Sequence, residues 1–144
     1  MWRADNGDVF EWEMNGSSVI GSGTVYSGVD SNWSIWASGD FDGDGRSDLA
    51  WYNPFANGAL VWLMNGLTVK QFGGSYSTTN LEPISVSDFN NDGKAEMMFR
   101  TTDASSNLTT WFFSGVTRTS TAVPWTSFGI GFTGSYALTD PSAP

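Results

Sequence analysis

This 144-residue chain contains no cysteine and no histidine. The first absence excludes disulfides and thiol chemistry without fixing a compartment. Together they remove the commonest general base and the most reactive nucleophile. Lysine and arginine number six and are scattered, so there is no basic footprint for nucleic acid or an anionic membrane surface. No apolar run is long enough to span a bilayer, which argues against membrane insertion. Met1 to Asp5 does not read as a secretory signal.

Against these absences stand eight Trp, ten Phe and 17 Gly in a chain that is 40% hydrophobic. A chain of this length buries a real core as one domain or one segment of a repeat array. Segments rich in Asn, Ser, Thr and Gly separate the apolar runs, a mixture that favours short strands joined by tight turns. Net charge is −9, yet seven of the 15 acids sit in two short segments.

The first of these, Asp40-Phe41-Asp42-Gly43-Asp44-Gly45-Arg46-Ser47-Asp48, sets carboxylates at alternate positions around a glycine. The second, Asp88-Phe89-Asn90-Asn91-Asp92-Gly93-Lys94-Ala95-Glu96, repeats the offsets. A hard cation such as Ca²⁺ takes six to eight oxygen ligands, and a tightly turning loop aims alternate side chains inward. Glycine at the sixth position permits the turn that a side chain resists. The order D-x-D-x-D-G matches the start of an EF-hand loop, but the last acid falls at position nine rather than 12. Asp, Asn and Gly also favour turns without a metal, and the shared offsets argue against that plainer reading. The second loop is the weaker ligand set, because Asn90 is neutral and Glu96 is a methylene longer than Asp48.

Self-similarity extends beyond the loops. Asn15-Gly16, Asn65-Gly66 and Ser114-Gly115 each close a strand carrying Trp12, Trp62 or Trp111, so the repeat is close to 49 residues. A preceding strand places Trp2, Trp51 and Phe99 in equivalent positions. Period-two alternation puts Phe10, Trp12 and Met14 on one face, with Leu60, Trp62 and Met64, then Thr109, Trp111 and Phe113, as the corresponding sets. These stripes are expected in the core. On the opposite face the first copy carries Glu11 and Glu13 where the second carries Val61 and Leu63. The two glutamates read as exposed edge acids, suited to a solvated end.

Repeats of 40 to 50 residues with four short strands each predict an all-β protein of propeller blades. The spacing predicts strands over 33–39, 49–53, 59–64 and 68–72 in a second blade spanning about 33–73. A third blade, about 81–123, takes strands over 83–87, 96–101, 108–113 and 117–123. The first blade, about 1–25, has three strands and needs a closing strand over 134–139, which leads into Asp140. Three blades fall short of a closed propeller, so a homodimer or other homo-oligomer is expected to complete a larger ring.

The string from Trp33 through Asp40 and Asp48 to Trp51, continuing from Val61 to Gly66, closely resembles the FG-GAP/VCBS-type repeat, the calcium-binding blade of integrin-α-like β-propellers. The resemblance implies two Ca²⁺ per chain. One would be held by Asp40, Asp42, Asp44, the Arg46 carbonyl and Asp48. The other would be held by Asp88, Asn90, Asp92, the Lys94 carbonyl and Glu96. It also implies a non-catalytic module, extracellular or at the cell surface, that binds glycans or protein partners. The alternatives are a self-assembling structural unit and an accessory domain of a secreted polysaccharide-active enzyme. Trp33, Trp36 and Trp125 are candidate stacking platforms for a glycan, although burial between blades is their more ordinary role. Outside the loops, only Glu11 and Glu13 form a close carboxylate pair of the kind glycoside hydrolysis uses.

Overall fold

The computed structural model describes residues 1–125, which form twelve strands in three antiparallel sheets and no helix. Sheet 1 contains β1 (Trp2–Arg3), β2 (Val9–Asn15) and β3 (Ser18–Tyr26) in that order. Sheet 2 runs β4 (Ser34–Gly39), β5 (Asp48–Asn53), β6 (Gly58–Asn65) and β7 (Thr68–Phe72), with β8 (Tyr76–Ser77) also on β6. Sheet 3 contains β9 (Leu81–Ser87), β10 (Glu96–Thr101), β11 (Leu108–Ser114) and β12 (Thr117–Trp125), again as a meander. The three antiparallel sheets are consistent with propeller-like blades, and no closed ring forms among the described residues. The expected closing strand over 134–139, and Asp140, lie outside them.

The β8 strand was not expected. After Phe72, Gly73 turns the chain so tightly that its N–H donates to the Val61 carbonyl at 2.8 Å, and a Cβ there would lie 2.5 Å from that oxygen. This close approach ends β7 early, and Tyr76 and Ser77 pair with Ala59 and Gly58 at the far end of β6.

Successive strand residues point to opposite faces, and β5 and β6 are buried on both. Their Leu49, Trp51, Trp62 and Met64 pack with Val9 of sheet 1. Their Ala50, Ala59, Val61 and Leu63 pack with Met97, Phe99, Trp111 and Phe113 of sheet 3, together with Phe41 from the first acidic loop. Sheet 2 is thus the middle layer between two apolar junctions. Each large side chain fully buried there contributes about 1.5–3 kcal/mol.

Two expectations for sheet 1 are overturned. Trp12 and Met14 are exposed rather than in the core, because the described residues include no sheet ahead of sheet 1 to cover that face. Glu11 and Glu13 are not edge acids. Their strand, β2, is the middle one of its sheet, and they share a face with the fully buried Val9, so alternation turns them toward sheet 2. There they border a cleft of about 510 Å³ that Arg46, Ser47, Met64 and Gly66 also line. One Glu11 carboxylate oxygen is buried without a hydrogen-bond partner, and burial pushes the carboxyl above its ordinary range.

Candidate metal centre

Both acidic loops join the first two strands of a sheet, from β4 to β5 and from β9 to β10. The first is wound on its own carboxylates. Asp40 accepts the N–H groups of Gly43 (2.6 Å), Asp44 (3.2 Å) and Gly45 (2.7 Å). Asp42 accepts the Asp44 N–H at 3.2 Å, and Asp44 accepts the Arg46 N–H at 3.0 Å. The second loop repeats the scheme. Asp88 accepts from Asp92 (3.1 Å) and Gly93 (2.9 Å), Asn90 from Asp92 (2.9 Å), and Asp92 from Lys94 (2.9 Å). Gly45 and Gly93 take φ of +81° and +84°, the left-handed conformation that the sixth position requires.

The last acid of each loop starts the next strand and is buried. Asp48 accepts the Phe41 N–H and the Met64 N–H, each at 2.8 Å, so one carboxylate ties the loop's start to β6. Glu96 does the corresponding work at Phe89, 2.7 Å away. Burial, set partly against those backbone bonds and reinforced by the Asp42 and Asp40 charges, pushes Asp48 up to about 6. Burial raises Glu96 as well, with Asp92 and Asp88 adding to it.

Of the expected ligands, Asp40, Asp42 and Asp48 bring carboxylate oxygens within 4.8 Å of one another, and so do Asp88, Asp92 and Glu96. Asp44 is not in the first triad. Its free oxygen lies 3.3 Å from Lys70 Nζ, which also binds Asp42 at 2.6 Å. Asn90 lies against Asp92, donating to it at 3.2 Å. Arg46 and Lys94, expected to serve through their carbonyls, are anchored by their N–H groups to Asp44 and Asp92. The donor set is all oxygen, with converging negative charge and a buried acid that resists ionisation without a cation beside it. That chemistry fits Ca²⁺, whereas zinc prefers the nitrogen and sulfur ligands these loops lack.

Lys70 is a contributor that the sequence did not disclose. It lies on β7, 28 residues from Asp42, and no motif links the two. Two of the candidate tryptophans, Trp33 and Trp36, fall at the junctions. Trp36 packs against the core between sheets 2 and 3, and Trp33 against the core between sheets 1 and 2. Trp33 also lines a cleft of about 380 Å³ with Trp2, Arg3, Ser31 and Ser34. The side chain of Trp125 lies outside what is described.

Residues 40–99 match the family model for the FG-GAP-like repeat. The matched segment runs from the first acid of the first loop into β10, so both loops and most of sheet 2 fall within it. That segment is consistent with an FG-GAP-type repeat, in an all-β chain of blade-like sheets. Comparison with curated proteins and with solved structures gives no match.

Proposed function

We propose that the chain is a calcium-stabilised, non-catalytic propeller-type module of the cell exterior, holding two Ca²⁺ and presenting a surface to glycans or surface partners. The observation that carries this is the pair of acidic triads, Asp40, Asp42 and Asp48 in one loop and Asp88, Asp92 and Glu96 in the other, each of which brings its oxygens together between the first and the ninth position of its loop. A cation held there would join the loop to the strand that its buried acid begins, so metal binding adds to folding free energy. No histidine or cysteine is present to serve a reaction. Among the described residues no helix is long and apolar enough to cross a membrane.

A glycan reading draws support from the cleft beside Trp33, where two indoles, a guanidinium and two serine hydroxyls line one space. Indole faces stack on the C–H surface of a sugar while the polar groups meet its hydroxyls. Calorimetric titration of Ca²⁺ into stripped protein tests the metal. Two sites are expected, the Asp40 loop being the tighter because it offers four formal charges against three. No heat at millimolar Ca²⁺ sinks the reading. Glycan-array binding that Trp33→Ala abolishes, with the calcium titration unchanged, is the expected result for the cleft.

A further inference from the structure

The two halves of the junction between sheets 2 and 3 recur, uncovered, on the outer sheets. In that junction Phe41 is fully buried, with its ring edge-on to Phe113 at 5.4 Å, and its carbonyl accepts the Gly115 N–H at 3.0 Å. Trp36 sits beside it, 6.1 Å from Phe99. Sheet 2 thus supplies two knobs, and sheet 3 a receiving face of Phe99, Trp111, Phe113 and Gly115.

The knobs recur on sheet 3. Ile84 and Phe89 stand relative to Asp88 as Trp36 and Phe41 stand relative to Asp40. The strands share a bulge there, since pairing skips Trp36 between Ile35 and Ala37, and Ile84 between Pro83 and Ser85. Ile84 is 47% exposed and Phe89 43%.

The receiving face recurs on sheet 1. Trp2 pairs with Phe10 as Phe99 pairs with Thr109, which aligns Trp2, Trp12, Met14 and Gly16 with Phe99, Trp111, Phe113 and Gly115. Trp2 and Trp12 meet at 4.9 Å, as Phe99 and Trp111 meet at 4.4 Å. Yet Trp2 is 42% exposed, Trp12 53% and Met14 50%, and a Cβ on Gly16 would touch nothing within 4 Å.

We propose that a second copy of this chain docks head to tail on the Trp2–Trp12–Met14 face. Ile84 of one copy packs against Trp2 of the other, and Phe89 against Met14, with the Phe89 carbonyl accepting the Gly16 N–H. The occupant is a second copy because the uncovered face matches, position for position, the one in this chain that receives such knobs. Two copies joined at both ends carry six blades, within the range of about four to eight that propellers use. The contact is heterologous, so both ends are satisfied only when the ring closes. The proposal goes beyond the calcium reading: it uses Phe89 of the second loop but no metal ligand.

The test is cysteine cross-linking of the full chain in Ca²⁺, which is clean because there is no native cysteine. Met14→Cys and Phe89→Cys are made as separate proteins, and both positions are exposed, so folding is checked simply by circular dichroism and calcium titration. The mixture is expected to form a covalent dimer on oxidation, and each protein alone to form none. Ile84→Asp, on β9 and outside both loops, is expected to reduce a two-chain mass in light scattering to one chain while leaving the calcium heat unchanged. Cross-linking of Met14→Cys with itself would overturn the proposal in favour of a face-to-face pair. A monomeric wild type with no mixed cross-link would overturn it too, handing the face to residues 126–144 or to a foreign partner. A mixed cross-link without calcium heat would sink the calcium reading and leave this one standing.

Discussion

Asp48 is held by two backbone N–H groups that favour its ionised form and by burial, with Asp42 and Asp40 nearby, that disfavours it more. The carboxyl rises from an ordinary 3.8 to about 6, which makes its ionisation in the metal-free fold roughly 3 kcal/mol harder than in the open chain. The sign follows from proton linkage. Between these values the folded state holds the proton more tightly than the unfolded one, so metal-free stability falls as pH rises from about 4 to about 6 and is flat above. Glu96, raised for the same reason, adds in the same direction. Calcium bound as proposed is expected to reverse the trend, because the ion would need the carboxylate and have to displace the proton below pH 6. Calcium affinity of the first loop is therefore expected to weaken by up to about ten-fold per pH unit below 6. Titrations at pH 5, 6 and 7 check this, and an affinity that does not change across that range would count against Asp48 as a ligand.

At the scale of elements, the loops and strands were legible because their signals are local. Alternation over Leu60, Trp62 and Met64, the Asn65-Gly66 turn and the D-x-D-x-D-G run each fall within a few residues, and the strands begin within about two residues of where alternation places them. Illegible features depend on packing between distant segments. Lys70 meets Asp42 only because β7 comes to lie beside the first loop. Alternation alone said that Glu11 and Glu13 share a face, but not which way the face points. Gly39 belongs to this second kind. Its place at the end of β4 looks like ordinary strand termination, yet a Cβ there would lie 2.7 Å from Ala95 Cβ and 2.9 Å from Val86 Cγ1. Val86 belongs to β9 of sheet 3 and Ala95 to the loop that leads into β10, and the Ala95 N–H also donates to the Asp40 carbonyl at 2.5 Å. Sheets 2 and 3 thus meet backbone to side chain at this point. Gly39→Ala is expected to push them apart and cost about 1–3 kcal/mol, read as a lower midpoint in urea with unchanged slope. A stability within a few tenths of wild type would show that the junction yields freely.

At the scale of the whole molecule, the two junctions are unequal. Between sheets 2 and 3, Phe41 fills the space beneath the loop and ten buried side chains form one cluster. Between sheets 1 and 2, no described residue occupies the place that Phe41 fills in the other junction. The cleft of about 510 Å³ beside Met64 and Gly66 lies there, bordered by Glu11 and Glu13. Met64 and Gly66 are the counterparts of Phe113 and Gly115, which Phe41 touches, so the cleft sits where a preceding loop's aromatic would pack. A buried carboxylate oxygen without a partner carries a desolvation cost, and Glu11 has one. Opening is therefore expected to start at sheet 1. Hydrogen exchange is expected to show the amides of β2 and β3 exchanging well before those of β5, β6, β10 and β11, because local opening follows the sparser packing. Glu11→Val supplies the residue that Val61 provides in the second repeat. It removes the stranded carboxylate and is expected to stabilise the protein at neutral pH by about 1 kcal/mol, slowing exchange in sheet 1 alone about five-fold. Uniform slowing across all three sheets would mean that the chain opens as one unit and that the weak junction does not set the order. A destabilised variant would mean that the glutamate meets a partner in solution that offsets its burial.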